Sequence, residues 1–388
     1  MTPYADSLYF SLLLYLAVIL AILGLTGRLS WRWVIGINAA MVAAQFSFPV
    51  GLEPETSVKI AAVAGFGITQ WAVAAAYLRL RRGDWPLASF RLALALALAP
   101  MVLVKAWPMS HAGSFIAFVG LSYVTFRALD VIICIRDGLI TALPFGRYVT
   151  YVLFFPPLSS GPIDRFNRFN ADLSRRRSRA EWLQDLDGAI QHIFRGLLYK
   201  FILAALINQY WLMPSARGTS LVRIVSYMYA YPLYLFFDFA GYSAFAIAVS
   251  YLFGIRTPEN FNKPFLATNI VDYWNRWHIT LSAWFRDHVY MRYMLTAMRG
   301  RWFKSRVTAA CVGFYISFGL MGLWHGFAAR YLIYGLYHGT LLSAHTILEA
   351  RRPKGIVAAR PRWRNVLAMV VTFHLVCFGL LIFSGRLF

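Results

Sequence analysis

Acidic residues are scarce in this sequence, lysine is scarcer and cysteine is nearly absent: 16 Asp and Glu, 6 Lys and 3 Cys in 388 residues. Cys134, Cys311 and Cys377 all lie in apolar stretches without a CxxC spacing. They read as small core residues, and no disulfide framework or thiol nucleophile is indicated. Neither a G-x-S-x-G elbow nor a P-loop occurs, which argues against a serine-hydrolase turn and a nucleotide-driven pump. No repeat of fixed period is visible, and the halves show no matching pair of broken segments such as an inverted-repeat transporter carries. Charge as a whole is sparse: 14% of residues are charged and 59% hydrophobic, with a mean hydropathy of +0.56. An ordinary soluble domain carries about 25% charged residues, so the natural solvent of this chain is a bilayer. Residues 1–388 read as one membrane-embedded domain.

A spanning helix takes about 20 mainly apolar residues. Candidate spans fall at 7–27, 33–50, 58–78, 90–106, 113–135, 188–212, 221–254, 306–325, 331–348 and 365–385. The expected fold class is therefore an all-α polytopic membrane protein of roughly ten to twelve helices. Arg28–Arg32, Arg79–Arg91, Arg136–Arg147, Arg165–Arg179, Arg292–Arg306 and Arg351–Arg364 are basic loops, whereas Glu53–Glu55 is acidic and Trp107–His111 nearly neutral. Placing the basic loops in the cytoplasm puts the N-terminus outside and the turn Trp324–Arg330 at an outer span end. The first run follows Asp6 and precedes Arg28 and Arg32, the reverse of a signal peptide's charge order, so it stays in the cell membrane as a span. The net charge of +22 resides in these loops, with no soluble basic domain to receive nucleic acid. A basic inner face attracts an acidic partner and anionic membrane lipids.

Tyr148–Phe169 and Phe261–Met298 fit neither span nor ordinary loop. Non-helical backbone at membrane depth needs a covering of protein or a water-filled cavity, so both read as re-entrant segments lining a central cavity. In the second, helical spacing sets Trp274, Trp277, Leu281 and Trp284 on one face and Asn275, His278, Ser282 and Arg286 toward another. Two readings stand side by side: an interfacial helix with an aromatic belt, or a polar stripe facing the cavity. Of the polar set, His278 alone exchanges a proton near neutral pH. An apolar span ends in Gly322-Leu323-Trp324-His325-Gly326, where His325 is either an interfacial residue or a general base that takes the proton of an attacking hydroxyl. Gly322 and Gly326 allow close approach of substrate or backbone. His338, His345 and Glu349 share a helix face but lack the His-x-x-x-His spacing of helical metal sites, so no metal is expected. Arg127 and Asp130 are spaced to pair within an apolar span, and Asp238 has no obvious local partner and reads as cavity-lining.

Five ordered stretches carry a resemblance: Phe154 to Arg165, Phe236 to Ser243, Thr257 to Phe265, Trp274 to Asp287, and Trp324-His325-Gly326. Over most of its length the chain resembles the membrane-bound O-acyltransferases, and among them the D-alanyl-transferring branch. The resemblance implies a ring of helices with re-entrant segments around a central tunnel that is thinned in the middle. It places His325 at the reaction centre, with His278 as a second polar position. Asn275, Ser282, Trp324, Asp238 and Arg286 become tunnel-lining candidates. It also implies that no cofactor is bound by the chain itself: the donor is a D-alanyl thioester on the phosphopantetheine arm of a small acidic carrier protein. That carrier docks beside Val289 to Met298, with Met294 and Leu295 as candidate contacts. A small membrane peptide and an extracytoplasmic transferase are further partners the branch suggests.

The expected function is transfer of D-alanine from that thioester to a hydroxyl of a cell-envelope polymer, teichoic acid or another envelope glycan. The acceptor stays open because 32 of the 38 basic residues are Arg and alanine is abundant, a composition of GC-rich genomes. The rivals are a polysaccharide O-acetylase of the same family, a proton-coupled transporter or flippase, and a catalytically silent scaffold.

Overall fold

A computed structural model describes residues 3–47, 54–81, 86–106, 118–352 and 361–388, and among them every regular element is a helix. The neutral Trp107–His111 loop, Glu53 of the acidic loop, the first residues of the 113–135 span and much of Arg351–Arg364 lie outside the described residues. Seven helices are long and apolar enough to cross a membrane: α1 (Ser7–Leu25), Val58–Leu80 of α3 (Pro54–Leu80), α4 (Pro86–Ala106), α8 (Arg179–Ala216), α9 (Leu221–Leu252), α13 (Arg306–His325) and α15 (Arg362–Ser384). Three further runs read as spans from the sequence are shorter or more polar: α2 (Trp31–Ser47), α5 (Leu121–Arg136) and α14 (Ala329–Ala350).

The helix ends follow capping chemistry. Asp6 caps α1 by accepting from the amide of Tyr9 at 2.7 Å. At its other end Gly27, at φ +66°, lets the amides of Gly27 and Arg28 bond back to the carbonyls of Gly24 and Leu23.

The chain divides into two compact units, Met1–Gly196 with Tyr242–Pro258, and Leu197–Gly241 with Glu259–Phe388. In the first, the stretch between α6 (Phe145–Val152) and α7 (Phe166–Ser174) is non-helical yet buried at Phe154, Phe155, Leu158 and Ile163. Buried backbone must find partners, and remote side chains supply them. Arg127 of α5 donates to the carbonyls of Tyr151, Val152, Phe154 and Pro157 at 2.9–3.3 Å. Asn38 of α2 accepts from the Phe155 amide and donates to the Leu153 carbonyl, and Tyr4 donates to the Pro156 carbonyl. The expected Arg127–Asp130 pair is thus replaced: Asp130 takes Arg165 at 2.7 Å, and Arg127 serves the loop.

In the second unit α13 and α14 pack backbone against backbone. A side chain at Gly322 would strike the Tyr331 carbonyl, and one at Gly335 the Phe318 carbonyl. The close approach available at Gly322 is therefore used by protein backbone.

Candidate active site

The polar stretch of the second unit is not one helix. Helix α10 (Ile270–Trp274) stops, and α11 (Ile279–Phe285) starts anew after His278, which sits in the left-handed region at φ +42°. That conformation is costly for a residue with a Cβ, so something must hold it. Asn260, fully buried, does so: its backbone carbonyl accepts from the Ile279 amide at 2.9 Å, and its side-chain oxygen accepts from the Thr280 hydroxyl at 2.9 Å and amide at 3.4 Å. The His278 ring is buried edge-on to Phe239 of α9, with centroids 4.8 Å apart.

His325 ends α13, half-buried and accessible. Its ring meets Trp324 at 4.3 Å and Phe383 of α15 at 4.8 Å, with Tyr331 beyond at 5.9 Å. Gly326 turns the chain, and a side chain there would meet the Tyr331 ring. From stretches 47 residues apart in sequence, His278 and His325 come close enough for the charge on one to act on the other.

Asn275, Ser282 and Arg286 line one cavity of about 350 Å³ whose remaining wall is mainly apolar, including Trp274, Phe318 and Met321. Met321 lies one helical turn before His325. The indole N–H of Trp274 and the hydroxyl of Ser317, both on this wall and both buried, have no hydrogen-bond partner among the described residues.

The other sequence-derived candidates are placed differently. Asp238 pairs with Lys200 at 2.5 Å, a partner 38 residues away that local reading missed. Trp324 is half-buried against the His325 ring. Met294 is 8% exposed and packs with Ala309 and Ala310, whereas Leu295 is 53% exposed. His338 is buried among Trp274, Tyr334 and Tyr337, while His345 lies 4.0 Å from Glu349. No group of three or more metal-ligating side chains occurs among the described residues.

Asn260 is the supporting residue of this region that sequence reading did not single out, although it lies inside the Thr257 to Phe265 stretch. Replacing it with Leu removes the acceptor that holds the start of α11. Misplacing a reacting group by ~1 Å costs about 10²-fold, so Asn260→Leu is expected to lower kcat on that order, while Asn260→Asp, which keeps the acceptor oxygen, retains most of it. Steady-state rates of the two purified variants decide the matter, and equal rates would remove Asn260 from this role.

Residues 85–384 match MBOAT, the membrane-bound O-acyltransferase family, and the chain belongs to it. It is an acyltransferase built of membrane-spanning helices. In sequence it is similar to the teichoic acid D-alanyltransferase of Bacillus subtilis (strain 168), 41% identical with 100% of this chain and 99% of that protein covered. The teichoic acid D-alanyltransferase of Lacticaseibacillus rhamnosus is 37% identical, with 99% and 97% covered. A probable alginate O-acetylase AlgI of Pseudomonas aeruginosa is 32% identical over 69% of this chain and 49% of its own length.

Proposed function

We propose that this chain transfers D-alanine from a carrier-protein thioester to a hydroxyl of a cell-envelope polymer, teichoic acid or a related glycan. The observation that supports the reading is that His278 and His325 lie near enough in the second unit for charge on one to act on the other, with His325 one helical turn from Met321 in the wall of a cavity edged by Asn275, Ser282 and Arg286. Similarity to named D-alanyltransferases along the whole chain supports D-alanine over acetate.

In the proposed reaction the His325 imidazole takes the proton of the acceptor hydroxyl as its oxygen attacks the thioester carbonyl. The tetrahedral intermediate collapses by breaking the C–S bond, and the leaving thiolate takes the proton back from His325. An ester and a free thiol result. His278 supports His325 or relays the proton, and the cavity receives the thioester-bearing arm. The carrier is acidic and meets a basic inner face, an arrangement that steers encounter.

Carrier docking falls on α12 (Met291–Arg299), which follows α11 after a π turn over Arg286–Tyr290. Met291, Leu295 and Met298, at i, i+4 and i+7, form its exposed row, so the contact passes to Leu295 while Met294 serves the core. Leu295→Asp sets an acid against an acidic partner and removes an apolar contact. A loss of ~1.4 kcal/mol is tenfold in affinity, so KM for the loaded carrier should rise at least about tenfold with kcat and thermal stability unchanged.

The decisive test supplies purified protein in detergent with carrier charged with radiolabelled D-alanine and a soluble polyol-phosphate acceptor. Base-labile label on the acceptor is the expected product. Substrate movement across sealed vesicles with no acylated product would establish a transporter instead.

A further inference from the structure

At the end of the first unit where α3 finishes and α4 begins, a recess of about 450 Å³ is lined by Tyr77, Arg81, Pro86, Leu87 and Arg136. Two guanidiniums are fixed in it before anything binds. Arg81 is held by donating to the Ile135 carbonyl at 2.5 Å, which leaves its other N–H groups available. Arg136 lies over the face of Phe90, 4.2 Å from the ring centroid. Neither arginine has an acidic partner among the described residues. Tyr77 is 3% exposed, lines the recess, and its hydroxyl has no hydrogen-bond partner among the described residues. The N-terminal turn of α4 adds the positive end of a long helix. The carboxylate of Asp137 is near enough to act on Tyr77 and offsets part of this charge, leaving two cations against one anion among the described residues. Two preset guanidiniums, a phenol O–H and a helix N-terminus form the donor set of a phosphate site.

Its position selects the source of the phosphate. The recess lies at the ends of two membrane-spanning helices, and from it α4 carries an outward-facing row of Leu92, Leu96 and Leu103, each about half exposed. In a bilayer those leucines face acyl chains. We propose that the recess binds the phosphodiester headgroup of an anionic phospholipid, with an acyl chain laid along the leucine row. The site belongs to the first unit, and the acyl-transfer chemistry does not use it.

Native mass spectrometry of the full chain released from detergent tests this, with phosphatidylglycerol, phosphatidylcholine or inorganic phosphate added. Wild-type protein should retain one phosphatidylglycerol in preference to phosphatidylcholine. Arg136→Gln, which breaks no hydrogen bond to the described residues, should lower that retention about tenfold, as expected for one charge-assisted contact. Arg81→Gln/Arg136→Gln should lower it further, and Tyr77→Phe by about threefold. Each variant should remain monodisperse and keep its acyl-transfer rate. Equal retention of the two lipids, or retention unchanged in Arg136→Gln, would overturn the proposal. Full displacement of the lipid by equimolar inorganic phosphate would mark the recess as a free-anion site and would overturn it as well.

Discussion

His325→Ala is expected to lower acyl transfer from a loaded carrier by about 10²–10⁴-fold, the usual contribution of a positioned acid–base group. The fall should appear in kcat, because the side chain acts on a proton in flight and the apolar walls that bind substrate stay in place. The protein itself should survive: His325 is half-buried, and the rings of Phe383 and Tyr331 beside it are able to settle against each other. His278→Ala should also impair transfer, with an added loss of order at the start of α11. An undiminished rate in His325→Ala, measured on monodisperse protein, would remove it from the chemistry.

The largest effect on stability is expected at Arg127. Arg127→Met fills similar space but strips donors from four carbonyls, those of Tyr151 and Val152 at the end of α6 and of Phe154 and Pro157 in the buried, non-helical segment. The Tyr151 and Pro157 carbonyls keep the amides of Phe154 and Gly161. The Val152 and Phe154 carbonyls are left without a partner, each at about 1–3 kcal/mol, a total of roughly 2–6 kcal/mol against a whole folding margin of about 5–15 kcal/mol. Hydrocarbon around the unit offers no water to repair the loss. Arg127→Lys should fare little better, since an ammonium is a single point and the guanidinium is a fork that spans the segment. Both variants should fail to elute as a monodisperse peak from fluorescence-detected size exclusion. A melting temperature equal to that of wild type would show that the segment is held by other means.

Much of the architecture could be read from the sequence because hydropathy is a sum over about 20 residues and tolerates local error. Trp274, Trp277, Leu281 and Trp284, read by helical spacing as one face, are all buried, although the helix is broken between Trp274 and Ile279. The break between α10 and α11 was not visible. It is held by Asn260, 18 residues before His278, through hydrogen bonds that leave no trace in local periodicity. Lys200 stands as far from Asp238 in sequence as it stands near in space, and Arg127 reaches a loop that begins 26 residues later. Tertiary partners of buried charges are long-range facts, whereas the residue type announces only that a partner is needed.

Met294 and Leu295 show a subtler limit. Their roles depend on helical phase, and phase is disturbed by the π turn over Arg286–Tyr290, where Arg286 faces the cavity and α12 then runs on to its exposed row. A π turn holds one residue more than the α-helical turn it replaces. One residue corresponds to about 100° of helix rotation, so deleting a single residue there would swing Leu295 away from its present direction while leaving Asn275, His278 and His325 where they stand. Chain length at that turn acts as an angular setting: it couples the exposed row of α12 to the cavity wall that Arg286 joins, and it can be reset without altering the side chains of His278 or His325.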